Sequence, residues 1–150
     1  MYIGVISDTH GSISSKALKS LKGCQFILHA GDIGGPEVIA SLERIAPVKA
    51  VRGNTDGGWA QSIPYTEMMS FGQITFYLVH DLYTLDIDPM AAGVQVVISG
   101  HTHQAKIETI KDILYFNPGS ASVRRHNGPL TIGRIDLSIA PLVPQIIEIG

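Results

Sequence analysis

Five short polar motifs punctuate this 150-residue chain, and each stands where an apolar, β-rich run stops. They are Asp8-Thr9-His10, Gly31-Asp32, Gly53-Asn54-Thr55-Asp56, His80 and Gly100-His101-Thr102-His103. Between them they offer seven oxygen and nitrogen donors: Asp8, His10, Asp32, Asn54, His80, His101 and His103. Seven such donors suffice to hold two divalent cations side by side, which makes a reaction centre as well as a structural feature. The set is oxygen-rich with imidazoles and contains no thiolate. That chemistry selects Mn²⁺, Fe²⁺, Zn²⁺ or Ni²⁺ over Ca²⁺ or a structural all-cysteine zinc site.

Each motif has its own logic and its own bland alternative. Residues two apart at a strand end face the same way, so Asp8 and His10 can reach one ion; in isolation the pair also fits a helix cap beside a surface histidine. Asp32 lies between Gly31 and the Gly34-Gly35 pair, which let the backbone turn sharply. Its two oxygens can bridge two cations where an imidazole cannot, although an ordinary Asp turn has the same signature. The carbonyl oxygen of Asn54 suits a hard or borderline ion, and the same segment would also serve as an Asn/Asp turn. His101 and His103 form the sharpest signal, two imidazoles aimed at one centre after an apolar run. His80 closes another strand. His29, inside a strand, reads instead as a hydrogen-bonded core histidine.

Strands and short helices must position these residues. Residues 2–7, 25–29 and 47–51 read as buried strands, with helices over 15–22 and from Pro36 to about 46 between them. Continuous apolar strands separated by helices predict a parallel sheet covered on both faces. The second half reads as strands near 62–69, 73–80, 94–99, 104–110, 113–116, 130–137 and 143–149, with room for a short helix at 86–92. Phe71-Gly72, Lys111-Asp112 and Asn127-Gly128 are hairpin signals, the last the strongest. Every candidate ligand falls just past a strand, and loops outside the carboxyl ends of strands are where α/β sheets bind ligands. A single mixed α/β domain over 1–150 with two packed sheets is the expectation.

Composition narrows the function. A hydrophobic fraction of 45%, 16% charged residues and 16 glycines describe a globular chain. A formal charge of -2 with no basic run disfavours a nucleic-acid polymer as partner. The lone Cys24 excludes an internal disulfide and points to a reducing, cytoplasmic setting, with the thiol as a small buried hydrophobe. Neither a secretion signal nor an apolar run approaching the roughly 18 residues of a membrane span is present, so no membrane partner is expected.

With all five motifs in this order, the chain resembles the calcineurin-like metallophosphoesterases, and within them the small YfcE-type phosphodiesterases. Asn117-Pro118-Gly119-Ser120 also resembles that subgroup's turn after the last metal motif, so the likeness spans about residues 2–125. The resemblance implies a four-layer αββα sandwich of two mixed β-sheets flanked by helices. It implies that Asp8, His10, Asp32 and His103 hold one metal and that Asp32, Asn54, His80 and His101 hold a second. Mn²⁺ is the expected ion, with Ni²⁺, Fe²⁺ or Zn²⁺ as alternatives. The substrate would be a small phosphodiester or other phosphoester.

The expected chemistry is attack on phosphorus, in line, by a hydroxide bridging the two cations. Asp32, Asn54 and Asp56 are the catalytic candidates, Asp56 by orienting the Asn54 loop or a ligand. Two departures from the family matter. Thr55 stands where many members carry a histidine that protonates the leaving group. His80-Asp81-Leu82 replaces the subgroup's common His-Gly-His. The rival reading is a metallophosphoesterase-fold scaffold for protein–protein interaction with little or no activity, as in the retromer subunit that resembles this subgroup. A metallo-β-lactamase-type hydrolase is opposed by the absence of an H-x-H-x-D-H run. Arg124, Arg125 and His126 read as solvated surface, with phosphate contact as the alternative. Trp59, Tyr65, Met68 and Met69 read as ordinary core, with a pocket wall or a subunit contact in a homo-oligomer as the alternatives.

Overall fold

A computed structural model describes residues 1–125 and 127–150, so the expectation for His126 lies outside the described residues. The elements run β1 (Tyr2–Ile6), α1 (Ser15–Ser20), β2 (Phe26–His29), α2 (Pro36–Glu43), β3 (Val48–Ala50), β4 (Thr66–Phe71), β5 (Ile74–Val79), β6 (Val96–Ile98), β7 (Lys106–Ile110), β8 (Ile113–Asn117), β9 (Thr131–Asp136) and β10 (Gln145–Glu148). Two 3₁₀ turns, Gly58–Ala60 and Leu82–Thr84, complete them. The strands form two five-stranded sheets, ordered β10-β9-β1-β2-β3 and β4-β5-β6-β8-β7.

Both sheets are mixed, and each contains a run of three parallel strands. In the first sheet β1, β2 and β3 run parallel, and β9 pairs antiparallel with both β1 and β10. In the second, β5, β6 and β8 run parallel between the antiparallel edge strands β4 and β7. The period-two alternation of a strand divides the apolar residues between layers. Ile3 and Val5 of β1 meet Phe76, Leu78, Val96, Ile98 and Phe116 of the other sheet. Ile6 and Ile27 face the opposite way, onto Ala17, Leu21, Val38 and Leu42 of the helices. Burying each such side chain contributes about 1.5–3 kcal/mol.

The αββα expectation is met, with an outer layer on the second sheet that is thin. Leu85 and Ile87, from the loop after the Leu82–Thr84 turn, pack there against Tyr77, Val79, Val94 and Val97. The helix expected at 86–92 is instead one turn, closed by the Ala92 amide on the Asp88 carbonyl at 3.0 Å and halted by Gly93 at φ 77°. The strand expected at 62–69 begins only at Thr66, because Pro64 has no N–H for a ladder and its carbonyl takes the Arg52 amide at 2.8 Å. Phe71-Gly72 and Lys111-Asp112 do make hairpins. Asn127-Gly128 does not: the strands on either side of it, β8 and β9, belong to different sheets, so this turn lies in a crossover. Among the described residues no helix is long and apolar enough to cross a membrane. Cys24 is buried and free. Trp59, Tyr65 and Met68 are exposed rather than core, and only Met69 packs on the inter-sheet cluster.

Among the described residues, His29 is the one fully buried imidazole, and its ring nitrogens bond within the framework rather than to the expected ligands. The Gly31 amide donates to its Nδ1 at 3.1 Å, so Nε2 carries the proton and donates to Thr9 Oγ1 at 3.0 Å. The Thr9 hydroxyl in turn donates to the Ile33 carbonyl at 2.7 Å. Burial pushes the His29 pKa down from 6.5 to about 3. Between those values the unfolded chain binds a proton that the folded chain does not, so stability falls as pH drops through that window, by up to about 1.4 kcal/mol per pH unit. Denaturant titrations of metal-free protein between pH 7 and pH 4 should therefore lose stability more steeply for the native chain than for a His29→Gln variant.

Candidate metal centre

Each parallel strand releases the chain at the same end of the sandwich. Asp8 and His10 follow β1, Asp32 follows β2, Asn54 follows β3, His80 follows β5, and His101 and His103 follow β6. Backbone hydrogen bonds continue between the loops after the strands stop: the Asp8 amide to the Gly31 carbonyl at 3.0 Å, the His10 amide to the Asp32 carbonyl at 2.9 Å, and the Gly100 amide to the His80 carbonyl at 2.9 Å. Asp8, His10, Asp32, His101 and His103 all sit in left-handed backbone, with φ between 47° and 72°. Side-chain-bearing residues rarely adopt that region, and holding one there costs about 1–3 kcal/mol.

The structure brings all seven expected donors together. Asp8 Oδ1 lies 3.3 Å from His103 Nε2 and 3.8 Å from His10 Nε2. Asp32 Oδ2 lies 3.8 Å from His10 Nε2 and 3.3 Å from His80 Nε2. Asn54 Oδ1 is 3.0 Å from His80 Nε2 and 3.2 Å from His101 Nδ1. Two clusters, Asp8–His10–His103 and Asp8–Asp32–His80, could each hold a metal ion.

The orientation of the rings explains what these close approaches are for. His80 Nδ1 donates to the Ala30 carbonyl at 2.7 Å and His103 Nδ1 to the Val123 carbonyl at 3.1 Å. In the neutral imidazole each therefore turns a lone pair, not a proton, toward the carboxylates. Asp8 Oδ1 and His10 Nε2 are buried with no hydrogen-bond partner. Buried polar atoms are almost always paired, and two orphans facing one volume lined by lone pairs fit a cation. The residues present thus match the divalent metal that their types imply.

Charge is shaped by the same contacts. Burial raises the Asp8 carboxyl above its usual range, against the opposing pull of His80. Burial would also raise Asp32, but the His80 imidazole and the Thr55 amide, at 3.0 Å from Oδ1, outweigh it and hold Asp32 well below the ordinary carboxylate range. For His80 the charge and hydrogen bond of Asp32 overcome burial and raise it, whereas burial lowers His103.

Asp56 does not reach the converging atoms. Its two oxygens accept the amides of Ile33, Gly34 and Gly53 at 2.9–3.1 Å, so it ties the Asp32 loop to the Asn54 loop. Sequence reading did not single out Ser7, Asn117 and Ser120 individually. Ser7 donates to Asp8 Oδ2 at 2.8 Å, leaving Oδ1 to face the centre. Asn117 donates to the Gly100 carbonyl and to Thr102 Oγ1, pinning the histidine loop. Ser120 donates to the Asp8 carbonyl and accepts the Val123 amide, which sets the carbonyl that orients His103. The Asn117–Ser120 turn was the visible signal for two of these. Arg124 donates to the Gly128 carbonyl at 2.9 Å, and both it and Arg125 are exposed. A cavity of about 330 Å³ opens beside Asn54 and His80, with Arg52, Tyr65 and Asp81 in its wall.

Residues 1–139 match the calcineurin-like phosphoesterase superfamily domain. A probable metallophosphoesterase of Methanothermobacter thermautotrophicus is 35% identical over 91% of this chain and 87% of its own. The phosphodiesterase YfcE of Escherichia coli is 27% identical over 91% of this chain and 88% of its own. Among solved structures, Vps29 of Chaetomium thermophilum superposes with a TM-score of 0.86 at 21% identity, over 100% of this chain and 88% of that one; the likeness is one of fold.

Gly53 makes the loop geometry testable. A Cβ added there would land on the Asp32 carboxylate and backbone amide, and the backbone has no cheap way to yield. Gly53→Ala should destabilise the protein by about 1–3 kcal/mol, and a rise in melting temperature on adding a divalent cation, expected for the native chain, should be absent in the variant.

Proposed function

The chain belongs to the calcineurin-like phosphoesterase superfamily, and from that premise we propose that it is a dinuclear, metal-dependent phosphodiesterase. It is a hydrolase of phosphoester bonds; the finer reading concerns the number of metals, the ligands and the diester preference. The buried, partnerless pair of Asp8 Oδ1 and His10 Nε2 carries it. In this reading Asp8, His10, Asp32 and His103 hold one cation, and Asp32, Asn54, His80 and His101 hold the other. Mn²⁺ suits this mixture of carboxylate, amide and imidazole, and Ni²⁺, Fe²⁺ or Zn²⁺ would also fit. Residues 1–150 act as one catalytic domain.

When bound, the two cations supply a water acidic enough to attack phosphorus near neutral pH and charge to neutralise the phosphoryl oxygens. This chain's own residues do the rest. The Ala30 and Val123 carbonyls fix His80 and His103 in the orientation whose neutral tautomer carries its proton on Nδ1 and turns the Nε2 lone pair inward. The Thr55 amide occupies Asp32 Oδ1 and leaves Oδ2 for the centre. Asp56 locks the loop that carries Asn54. Asn54 and Thr55 are exposed at the mouth, where a substrate would enter. The Thr55 hydroxyl is too weak an acid to protonate a departing alkoxide, so the leaving alcohol must be stable as its anion or be protonated by water. Diesters of acidic alcohols meet that condition.

The rival reading, a scaffold with little or no activity, draws on Thr55 and on nothing else in the site. A chromogenic aryl phosphodiester with Mn²⁺ separates the two. Turnover should be lost with chelator and fall at least about a hundredfold in Asp32→Asn; a native chain loaded with two Mn²⁺ that shows no turnover above the metal alone would instead favour the scaffold. Thr55→His should raise kcat for an alkyl diester by roughly tenfold or more while changing the aryl rate little. Equal gains on both substrates would remove the leaving-group argument.

A further inference from the structure

Three histidines from the second sheet face the centre, but one of them is turned around. His80 and His103 each give Nδ1 to a backbone carbonyl and present Nε2 inward. His101 presents Nδ1, 3.2 Å from Asn54 Oδ1, and directs Nε2 outward. A neutral imidazole has one N–H and one lone pair. For Nδ1 to be the donor atom toward a cation, Nε2 must hold the proton. Among the described residues no hydrogen bond to that outward nitrogen is made. Left alone, Asn54 Oδ1 favours the opposite tautomer, because it can accept a proton from Nδ1.

One carboxylate faces the outward nitrogen. Asp81 Oδ2 stands 3.7 Å from His101 Nε2, too far for a direct hydrogen bond but within a small rotation of either side chain. Both side chains have that freedom, at 35% and 27% exposure. The remainder of Asp81 is fixed. Its Oδ1 accepts the Tyr83 amide at 3.0 Å and its backbone carbonyl accepts the Thr84 hydroxyl at 2.7 Å, so the head of the Leu82–Thr84 turn holds it beside the cavity. Oδ2 is left for His101. A charged acceptor binds an N–H more strongly than an amide oxygen does, so Asp81 can override Asn54.

Resting on the dinuclear reading above, we propose that Asp81 is a positioning residue for His101. It accepts the Nε2 proton and thereby fixes Nδ1 as the atom offered to the second cation. Asp81 touches neither substrate nor metal in this role; it sets which face of His101 is basic.

Asp81 also caps the 3₁₀ turn, so the test must separate the two duties. Asp81→Ser keeps a short oxygen for the Tyr83 amide but cannot reach His101, whereas Asp81→Asn keeps Oδ1 for the turn and sets an amide N–H donor, not an acceptor, opposite Nε2. Mn²⁺ titrations of the full chain by calorimetry would give the affinity of each site. The electron paramagnetic signature of a coupled Mn²⁺ pair would report double occupancy without any assay of turnover. Asp81→Ser should weaken the second site roughly 10–100-fold, leave the first site and the metal-free melting temperature unchanged, and add nothing further in a His101→Ala background. Asp81→Asn should weaken the second site as well while keeping the turn, because a donor opposite Nε2 favours the wrong tautomer; native affinity in that variant would overturn the proposal. If Asp81→Ser binds both ions as the native chain does while His101→Ala loses the second, the role of Asp81 is overturned and the dinuclear reading stands. If His101→Ala itself keeps both ions, the dinuclear reading falls first. A full additional loss in the double variant would show that Asp81 acts through something other than His101, and would also overturn the proposal.

Discussion

Lone pairs that face one another across a few ångströms repel, and the strand-end loops of this protein hold seven such donors around one volume. The arrangement is offset only in part by the chain itself. Ser7 and the His101 amide satisfy Asp8 Oδ2, and the Thr55 amide satisfies Asp32 Oδ1. In each carboxylate one oxygen is bonded and the other left facing the centre. Burial therefore acts on Asp8 with little relief and raises it, while His80 and Thr55 draw Asp32 down in spite of burial. The architecture around the site can be understood as what is needed to hold that uncomfortable geometry before a cation arrives.

Two sheets are needed because neither carries the whole donor set. Asp8, His10, Asp32 and Asn54 follow strands of the first sheet, while His80, His101 and His103 follow strands of the second. The spacing between carboxylates and imidazoles is consequently set by the core between the sheets, where Ile3 and Val5 meet Phe76, Leu78 and Ile98. Interiors of that density do not deform continuously, so the donor geometry inherits the rigidity of the core. The loops then close the last few ångströms. Left-handed backbone at Asp8, His10, Asp32, His101 and His103 turns each side chain inward, and Gly100 removes a Cβ that would strike Ser7 and Asp8. Asp and His tolerate this region better than branched residues do, which lets ligands occupy positions that glycine would otherwise fill.

Much of this was legible in the residue order. Apolar runs ending in Asp8, Asp32, Asn54, His80 and His101 announce parallel strands with a site at their ends, because period-two burial and strand-end ligands are local features. What escaped the sequence depends on distance along the chain. Ser120 acts on Asp8 112 residues away and Asn117 on Gly100 17 residues away, and neither partner is visible from a turn motif alone. Asn127-Gly128 has hairpin chemistry but connects β8 to β9 in the other sheet; a turn signal specifies the bend and not what the flanking strands pair with. Trp59, Tyr65 and Met68 have core chemistry yet remain exposed, because hydrophobic residues are common at surfaces and only their setting distinguishes them.

The same electrostatics link the site to its cations and then to its reaction. Metal ligands must be ionised carboxylates and neutral imidazoles. His103, lowered by burial, and Asp32, held low, already meet that demand near neutrality, while the raised Asp8 is the carboxylate whose ionisation is worked against until positive charge enters. A cation at this site would offset the burial of the Asp8 charge, and any ion bound only by the folded state adds its binding free energy to stability. Among the described residues the Asn54 loop offers no imidazole on the side where a leaving group would depart in the proposed reaction. There the chain offers an exposed threonine hydroxyl at Thr55 and the opening beside Asn54 and His80. If the proposed metal centre activates water, a site with no better acid than Thr55 would discriminate among substrates by the acidity of the alcohol they release. On the proposed phosphodiesterase reading, selectivity would be set at the bond that breaks rather than at the metals.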